Sequence, residues 1–212
     1  MTASRWITTI GGVLIVLIAA AAVATFLGSD REQSTAIASA PRPGEMAAGE
    51  FAPPRVAPDF SLPGSDGSQV TLARYRGKVV LLTFGFTYCA AVCPTTMATL
   101  AQARTKLGKA ADEVQVIFVT VDPARDDADG MKTYLAAFDP TFIGITGQPE
   151  ALAKVRETYG VTAEKQGKGD DYAMAHTSSI FLIDRSGKLR ALMPFGHNAD
   201  DFVHDVRMLL DA

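Results

Sequence analysis

Val79-Val80-Leu81-Leu82-Thr83-Phe84-Gly85-Phe86 decides the fold because it runs directly into Thr87-Tyr88-Cys89-Ala90-Ala91-Val92-Cys93-Pro94. A short apolar run with so few polar interruptions reads as a central strand buried on both faces. Pro94 suits the first turn of a helix, where no amide partner is lost. Met97, Leu100, Ala101, Arg104 and Leu107 continue at helical spacing, so the helix is expected over about 94–107. Cys89 and Cys93 are the only cysteines in the chain. They fall at the corner between strand and helix, where they can share one soft metal ion or form a disulfide.

Outward from this corner, strands and helices alternate. Phe60 to Val70 reads as a hairpin turning at Gly64-Ser65-Asp66-Gly67. Val114 to Val121 reads as a second buried strand, Asp127 to Phe138 as a helix, Phe142 to Ile145 as a short strand and Pro149 to Tyr159 as a helix. Ser179 to Ile183 and Leu189 to Leu192 form a hairpin around Asp184-Arg185-Ser186-Gly187, which ends the sheet, and Ala199 to Leu210 closes the chain as an amphipathic helix. The order predicts an α/β sandwich with a mixed central sheet, and a thioredoxin-like fold fits it. The cysteines then lie at the C-terminal end of a central strand, where open sheets collect ligands.

The N-terminal part differs in kind. Ile7 to Leu27 carries no charge and would make about 31 Å of helix, enough to cross a bilayer core. Arg5 before it, with no positive excess after it, favours a cytoplasmic N-terminus. Residues 1–28 are therefore expected to be a single membrane anchor and the remainder extracytoplasmic, facing the periplasm from the inner membrane in a bacterium. The rival is a signal peptide cleaved at Ala38-Ser39-Ala40, although that site lies far beyond the apolar run. Residues 29–55, rich in Ala, Ser, Pro, Gly and Glu, read as a flexible linker spanning roughly 25–30 Å. Residues 56–212 make the folded domain. The net charge of −3 is spread along the 212 residues, with no basic stripe for nucleic acid.

Cysteines at positions i and i+4 lie on one helical face with their Cβ atoms about 5–6 Å apart. A helix N-terminus stabilises negative charge, so both are expected to ionise more readily than free cysteine. That property serves redox exchange and metal binding alike; a pair of inert buried cysteines is the plain alternative. Two thiolates and one imidazole suit Cu(I), or a Cu(II) site of His/Cys type, better than a four-ligand zinc site. His176 precedes the strand 179–183 and would face the corner, which makes it the candidate third ligand; a loop histidine bonded to backbone is its plain reading. His197 reads as a capping or surface residue and His204 as a solvent-facing helix residue. Met174 is a candidate accessory ligand or a gap filler.

Phe84-Gly85-Phe86-Thr87-Tyr88-Cys89-Ala90-Ala91-Val92-Cys93-Pro94-Thr95-Thr96 resembles the copper-site motif of the Sco/SenC proteins. Val121-Asp122-Pro123-Ala124-Arg125-Asp126, Phe138 to Gly147 and Asp171-Tyr172-Ala173-Met174-Ala175-His176-Thr177 resemble further segments of that family, in its order. The resemblance covers about residues 55–212. It implies a membrane-anchored, thioredoxin-like copper protein that helps to assemble cytochrome c oxidase at the binuclear copper site of its subunit II. Another copper chaperone or a thiol reductase would be a further partner. It also implies Cys89, Cys93 and His176 as copper ligands, and places Asp122 and Arg125 in the loop beside them, with a surface ion pair as their plain reading. Ala90 and Ala91 depart from the family pattern of proline and an acidic or amide residue after the first cysteine.

Two other chemistries compete with a copper chaperone. In a thiol–disulfide oxidoreductase Cys89 would attack a partner disulfide and Cys93 would resolve it. No proline occurs between Pro149 and Pro194, whereas thioredoxin-type reductases resemble one another in a proline before the strand facing the active site. A peroxidase of peroxiredoxin type fits the fold but gains nothing from the cysteine spacing or from His176.

Overall fold

The computed structural model describes residues 44–169 and 171–212. The apolar run Ile7 to Leu27 lies outside them, and among the described residues no helix is long and apolar enough to cross a membrane.

Strands β1 (Gly49–Val56), β4 (Val79–Gly85), β5 (Val114–Thr120), β6 (Ile143–Ile145), β9 (Ile180–Ile183) and β10 (Lys188–Met193) form one sheet in the order β1-β10-β9-β4-β5-β6. β4, β5 and β6 are parallel neighbours, whereas β9 pairs antiparallel with β4, β10 with β9, and β1 with β10. Every residue of β4 and β5 is buried, as their unbroken apolar sequences require of strands covered on both faces. A small hairpin, β2 (Ser61–Pro63) with β3 (Gln69–Thr71), lies between β1 and β4 in the chain. The helices are α1 (Val92–Leu107), α2 (Ala128–Ala136), α3 (Pro149–Thr158) and α4 (Ala199–Leu210). α1 packs on α4, and α2 lies against β6.

β1 corrects the linker assignment, because the chain joins the sheet from Gly49 rather than from about residue 56. The prolines that made this stretch look unstructured, Pro53 and Pro54, sit where the register with β10 is interrupted, between Glu50 and Arg55. An outer strand tolerates residues that lack an amide donor, particularly at such an irregularity. The hairpin β9–β10 therefore does not end the sheet; β1 does. The preceding residues are fixed as well. The carboxylate of Asp205, fully buried on α4, accepts the amides of Ala47 at 2.7 Å and Ala48 at 2.9 Å. Burial pushes the Asp205 carboxyl above its usual range, and the two amide bonds oppose that shift.

A second element not anticipated is the hairpin of β7 (Ala163–Gln166) and β8 (Ala173–His176), which stands apart from the main sheet. It places His176 at the end of a strand rather than in a loop.

Candidate metal centre

β4 delivers the chain to the cysteine corner and α1 takes it away. Ala91, the residue capping α1, offers no side-chain acceptor to the first turn, so amides there are free for another acceptor. The Cys89 sulfur takes that place, with the Cys93 amide 3.4 Å from it. Burial pushes the Cys89 thiol up, but the amides of Cys93, Ala91 and Val92 together outweigh it and hold the thiol below its ordinary value. Cys93 behaves in the opposite way, which overturns the expectation that both thiols ionise readily. It is 3 % exposed, and burial, with Cys89 beside it, pushes its thiol up to about 12. The first-turn amides reach the Cys89 sulfur and prevail there, whereas burial prevails at Cys93.

Gly85 explains why Cys93 can pack so deeply. A Cβ at that position would stand 2.7 Å from a ring carbon of Phe118 and 2.8 Å from Cys93 Sγ. Only a glycine at the end of β4 leaves the sulfur its seat.

The imidazole of His176 meets this pair. Its Nε2 lies 3.6 Å from Cys93 Sγ, and its Nδ1 is 2.9 Å from the carbonyl oxygen of Thr177. A carbonyl accepts only, so Nδ1 carries the proton in this bond and Nε2 presents its lone pair to the sulfur. Phe86 fixes the ring plane from the side, edge to face at 5.8 Å. Sulfur and nitrogen bound to one ion at about 2.3 and 2.0 Å, with an angle between tetrahedral and trigonal, are about 3.5–3.7 Å apart. The observed separation therefore fits two donors of a single soft ion. Among the described residues no three His, Cys, Asp or Glu side chains converge as a finished cage. Cys93 and His176 are in contact, and Cys89 is half-buried beside them with its sulfur on the Cys93 amide.

His197 and His204 stay out of the site, as expected. His197 Nδ1 faces Asp201 at 3.1 Å beside the cap of α4, and His204 Nε2 faces the carbonyl of Glu45 at 3.0 Å. Met174 is partly buried against the core.

The loop after β5 contributes more than its sequence disclosed. Asp126 is buried and receives Thr120 Oγ1 at 2.6 Å and Thr87 Oγ1 at 2.5 Å, so it ties the start of the cysteine turn to the end of β5. Burial pushes its carboxyl up while these donors pull it down. Asp122 is 4 % exposed, and Arg125 Nε donates to its Oδ2 at 2.6 Å. The carboxylate of the pair is buried and the guanidinium partly exposed, so the pair is more enclosed than the surface ion pair that the sequence alone allows. The Arg125 guanidinium lies over the rings of Tyr172 at 3.6 Å and Tyr88 at 4.8 Å. Tyr88 itself is 64 % exposed, at the rim of the site.

Residues 49–211 match the family model described as SCO1/SenC. The mouse mitochondrial protein SCO2 homolog is 35 % identical over 158 residues, which is 73 % of this chain and 62 % of the mouse protein. Protein SCO1 homolog 1 of Arabidopsis thaliana is 35 % identical over 155 residues, covering 72 % of this chain and 44 % of that one. The chain thus matches less than two thirds of the length of these curated relatives. Among solved structures, copper-bound ScoI of Bradyrhizobium japonicum superposes with a TM-score of 0.68 at 37 % identity, over 73 % of this chain and 99 % of that chain. Apo Sco1 of Thermus thermophilus gives 0.71 at 40 % identity, over 78 % and 97 %. The thioredoxin-like fold with its mixed sheet is common to them, and the chain belongs to the SCO1/SenC family.

Proposed function

We propose that this protein binds one copper ion through Cys89, Cys93 and His176 and hands it on during assembly of cytochrome c oxidase, at the binuclear copper site of subunit II. The observation that carries this reading is the 3.6 Å approach of His176 Nε2 to Cys93 Sγ, with Nδ1 already committed to a backbone carbonyl. Two thiolates and a neutral imidazole make a soft, low-coordinate donor set suited to Cu(I). The ion's charge supplies what burial denies the Cys93 thiolate, so binding displaces its proton. A ligand on a surface turn, Cys89, is the natural one to exchange first with an acceptor's thiol. The apolar run Ile7 to Leu27 would hold the domain at the outer face of the inner membrane, as a single-pass anchor. Copper titration of the reduced protein tests the proposal: about one Cu(I) per chain is expected, and no binding tighter than that of free thiols would overturn it.

The unequal thiols favour a second reading, a dedicated reductase of the acceptor's cysteines. Cys89, half-buried and with its thiol lowered, would attack one sulfur of a partner disulfide and expel the other as thiolate. Cys93 would then lose its proton and displace the first sulfur, leaving the partner reduced by two electrons and Cys89–Cys93 oxidised. Rapid copper-free reduction of a peptide disulfide by the reduced protein, lost in Cys89→Ser, is the expected result under this reading. Rates no faster than those of glutathione would exclude it.

A further inference from the structure

The hairpin that carries His176 is not part of the main sheet, and a two-stranded hairpin alone is marginal in water. Something must hold it over the cysteines. Thr162 and Thr177 close its base: the Thr177 amide donates to the Thr162 carbonyl at 3.1 Å. Ala163 and Met174 pack on the core, and among the described residues two side-chain hydrogen bonds join the hairpin to the cysteine corner and to the loop after β5. One is His176 with Cys93. The other is the Tyr172 hydroxyl, which donates to Asp122 Oδ1 at 2.7 Å.

The second contact is strongly built. Asp122 is fixed before Tyr172 arrives, since Arg125 Nε binds its other oxygen and its own amide donates to Thr120 Oγ1 at 2.9 Å. The Tyr172 ring is clasped between two cations, with the Arg125 guanidinium 3.6 Å from its centroid and Lys165 Nζ 3.7 Å from it. A phenol bonded to a buried carboxylate and stacked on a guanidinium combines two of the stronger polar contacts a surface element can make. Arg125 also faces Phe86, whose ring braces the His176 imidazole. A single loop thus touches both the turn that bears Cys89 and the hairpin that bears His176.

We propose that Tyr172 is a positioning residue: its bond to Asp122 and its stack on Arg125 latch the β7–β8 hairpin, keep His176 Nε2 beside Cys93, and set how fast the imidazole can leave a bound metal. The metal part rests on the copper reading above; the latch itself is a property of the copper-free protein.

The full-length protein carrying Tyr172→Phe keeps the ring and loses the bond, while Tyr172→Leu loses both. Hydrogen exchange is followed at the amides of Ala173 to His176, with those of β4 and β5 as an internal control. Loss of Cu(I) to an excess of a chelating dye is followed in parallel. Local exchange about tenfold faster in Tyr172→Phe, and faster again in Tyr172→Leu, is expected with the control strands unchanged. Copper loss should accelerate in the same order. Hairpin exchange equal to wild type in Tyr172→Leu would overturn the latch. Faster exchange with unchanged copper loss would overturn the positioning of His176. If wild type binds no copper, the copper reading falls, and the latch is decided by exchange alone.

Discussion

Replacing His176 with alanine is expected to weaken Cu(I) binding at least a hundredfold while leaving the domain folded. Disturbing a residue behind a metal ligand commonly costs about 10–100-fold in affinity, and losing the ligand itself costs more. The side chain is half-buried at the end of a hairpin outside the main sheet, and its removal opens no core cavity. The two sulfurs would still capture copper, but with two donors in place of three. A competition titration against a chelator of known affinity, with circular dichroism as a check on folding, measures the difference. An affinity equal to wild type would remove His176 from the site.

The largest loss of stability is expected from Arg104→Ala. Arg104 lies on α1, the helix whose first turn holds Cys93, and its side chain is almost entirely buried. Its Nε donates to Asp139 Oδ2 at 2.9 Å, and Nη1 donates to the carbonyls of Ala111 at 2.7 Å and Val114 at 2.6 Å. Truncation takes the charged donor from Asp139 Oδ2 and from the carbonyls of Ala111 and Val114, although Asp139 keeps Thr141 and the Ala111 carbonyl keeps the Val114 amide. Breaking a buried pair from one side costs roughly 3–5 kcal/mol. For a domain of this size that corresponds to a fall in Tm of about 10 °C or more. Thermal unfolding at neutral pH measures it. The acid dependence should change with it. Burial raises the Asp139 carboxyl, but the bonds from Thr141 and Arg104 prevail and hold it below the usual carboxylate range. A depressed folded-state pKa contributes stability that is present above the unfolded value and lost as pH falls through the folded one. Wild type should therefore lose this contribution only in strong acid, and Arg104→Ala should already lack the part that Arg104 supplies at pH 7, with the two bonds from Thr141 still in place.

Much of this architecture is legible in the chain because local and tertiary preferences agree there. Val79 to Phe86 and Val114 to Val121 have no polar face and can only be central strands. Ala199 to Leu210 carries a helical stripe after Asn198, whose side chain and that of Asp201 form a reciprocal cap. The approach of His176 to the cysteine corner is readable because strand order fixes which loop faces which corner. The unread parts depend on depth and on contacts distant in sequence. β1 looked like linker because proline usually marks a break, and only pairing with β10 turns it into an outer strand. The hairpin bearing His176 could have been suspected from Gly167-Lys168-Gly169, a turn signal between two short segments. The divergence of the two thiols could not, because the sequence places both at one helix end and says nothing of how far each is buried. Asp122 is similarly opaque: a charged residue beside proline suggests surface, yet its carboxylate is buried and receives Tyr172 from 50 residues further along the chain.

Whether two sulfurs and one imidazole nitrogen share a single ion is decided by X-ray absorption of the copper-loaded, reduced protein. Two sulfur neighbours at about 2.3 Å and one nitrogen at about 2.0 Å are expected, with the nitrogen shell gone in His176→Ala. A shell of sulfur alone, or one the His176→Ala substitution leaves unchanged, would rule that donor set out.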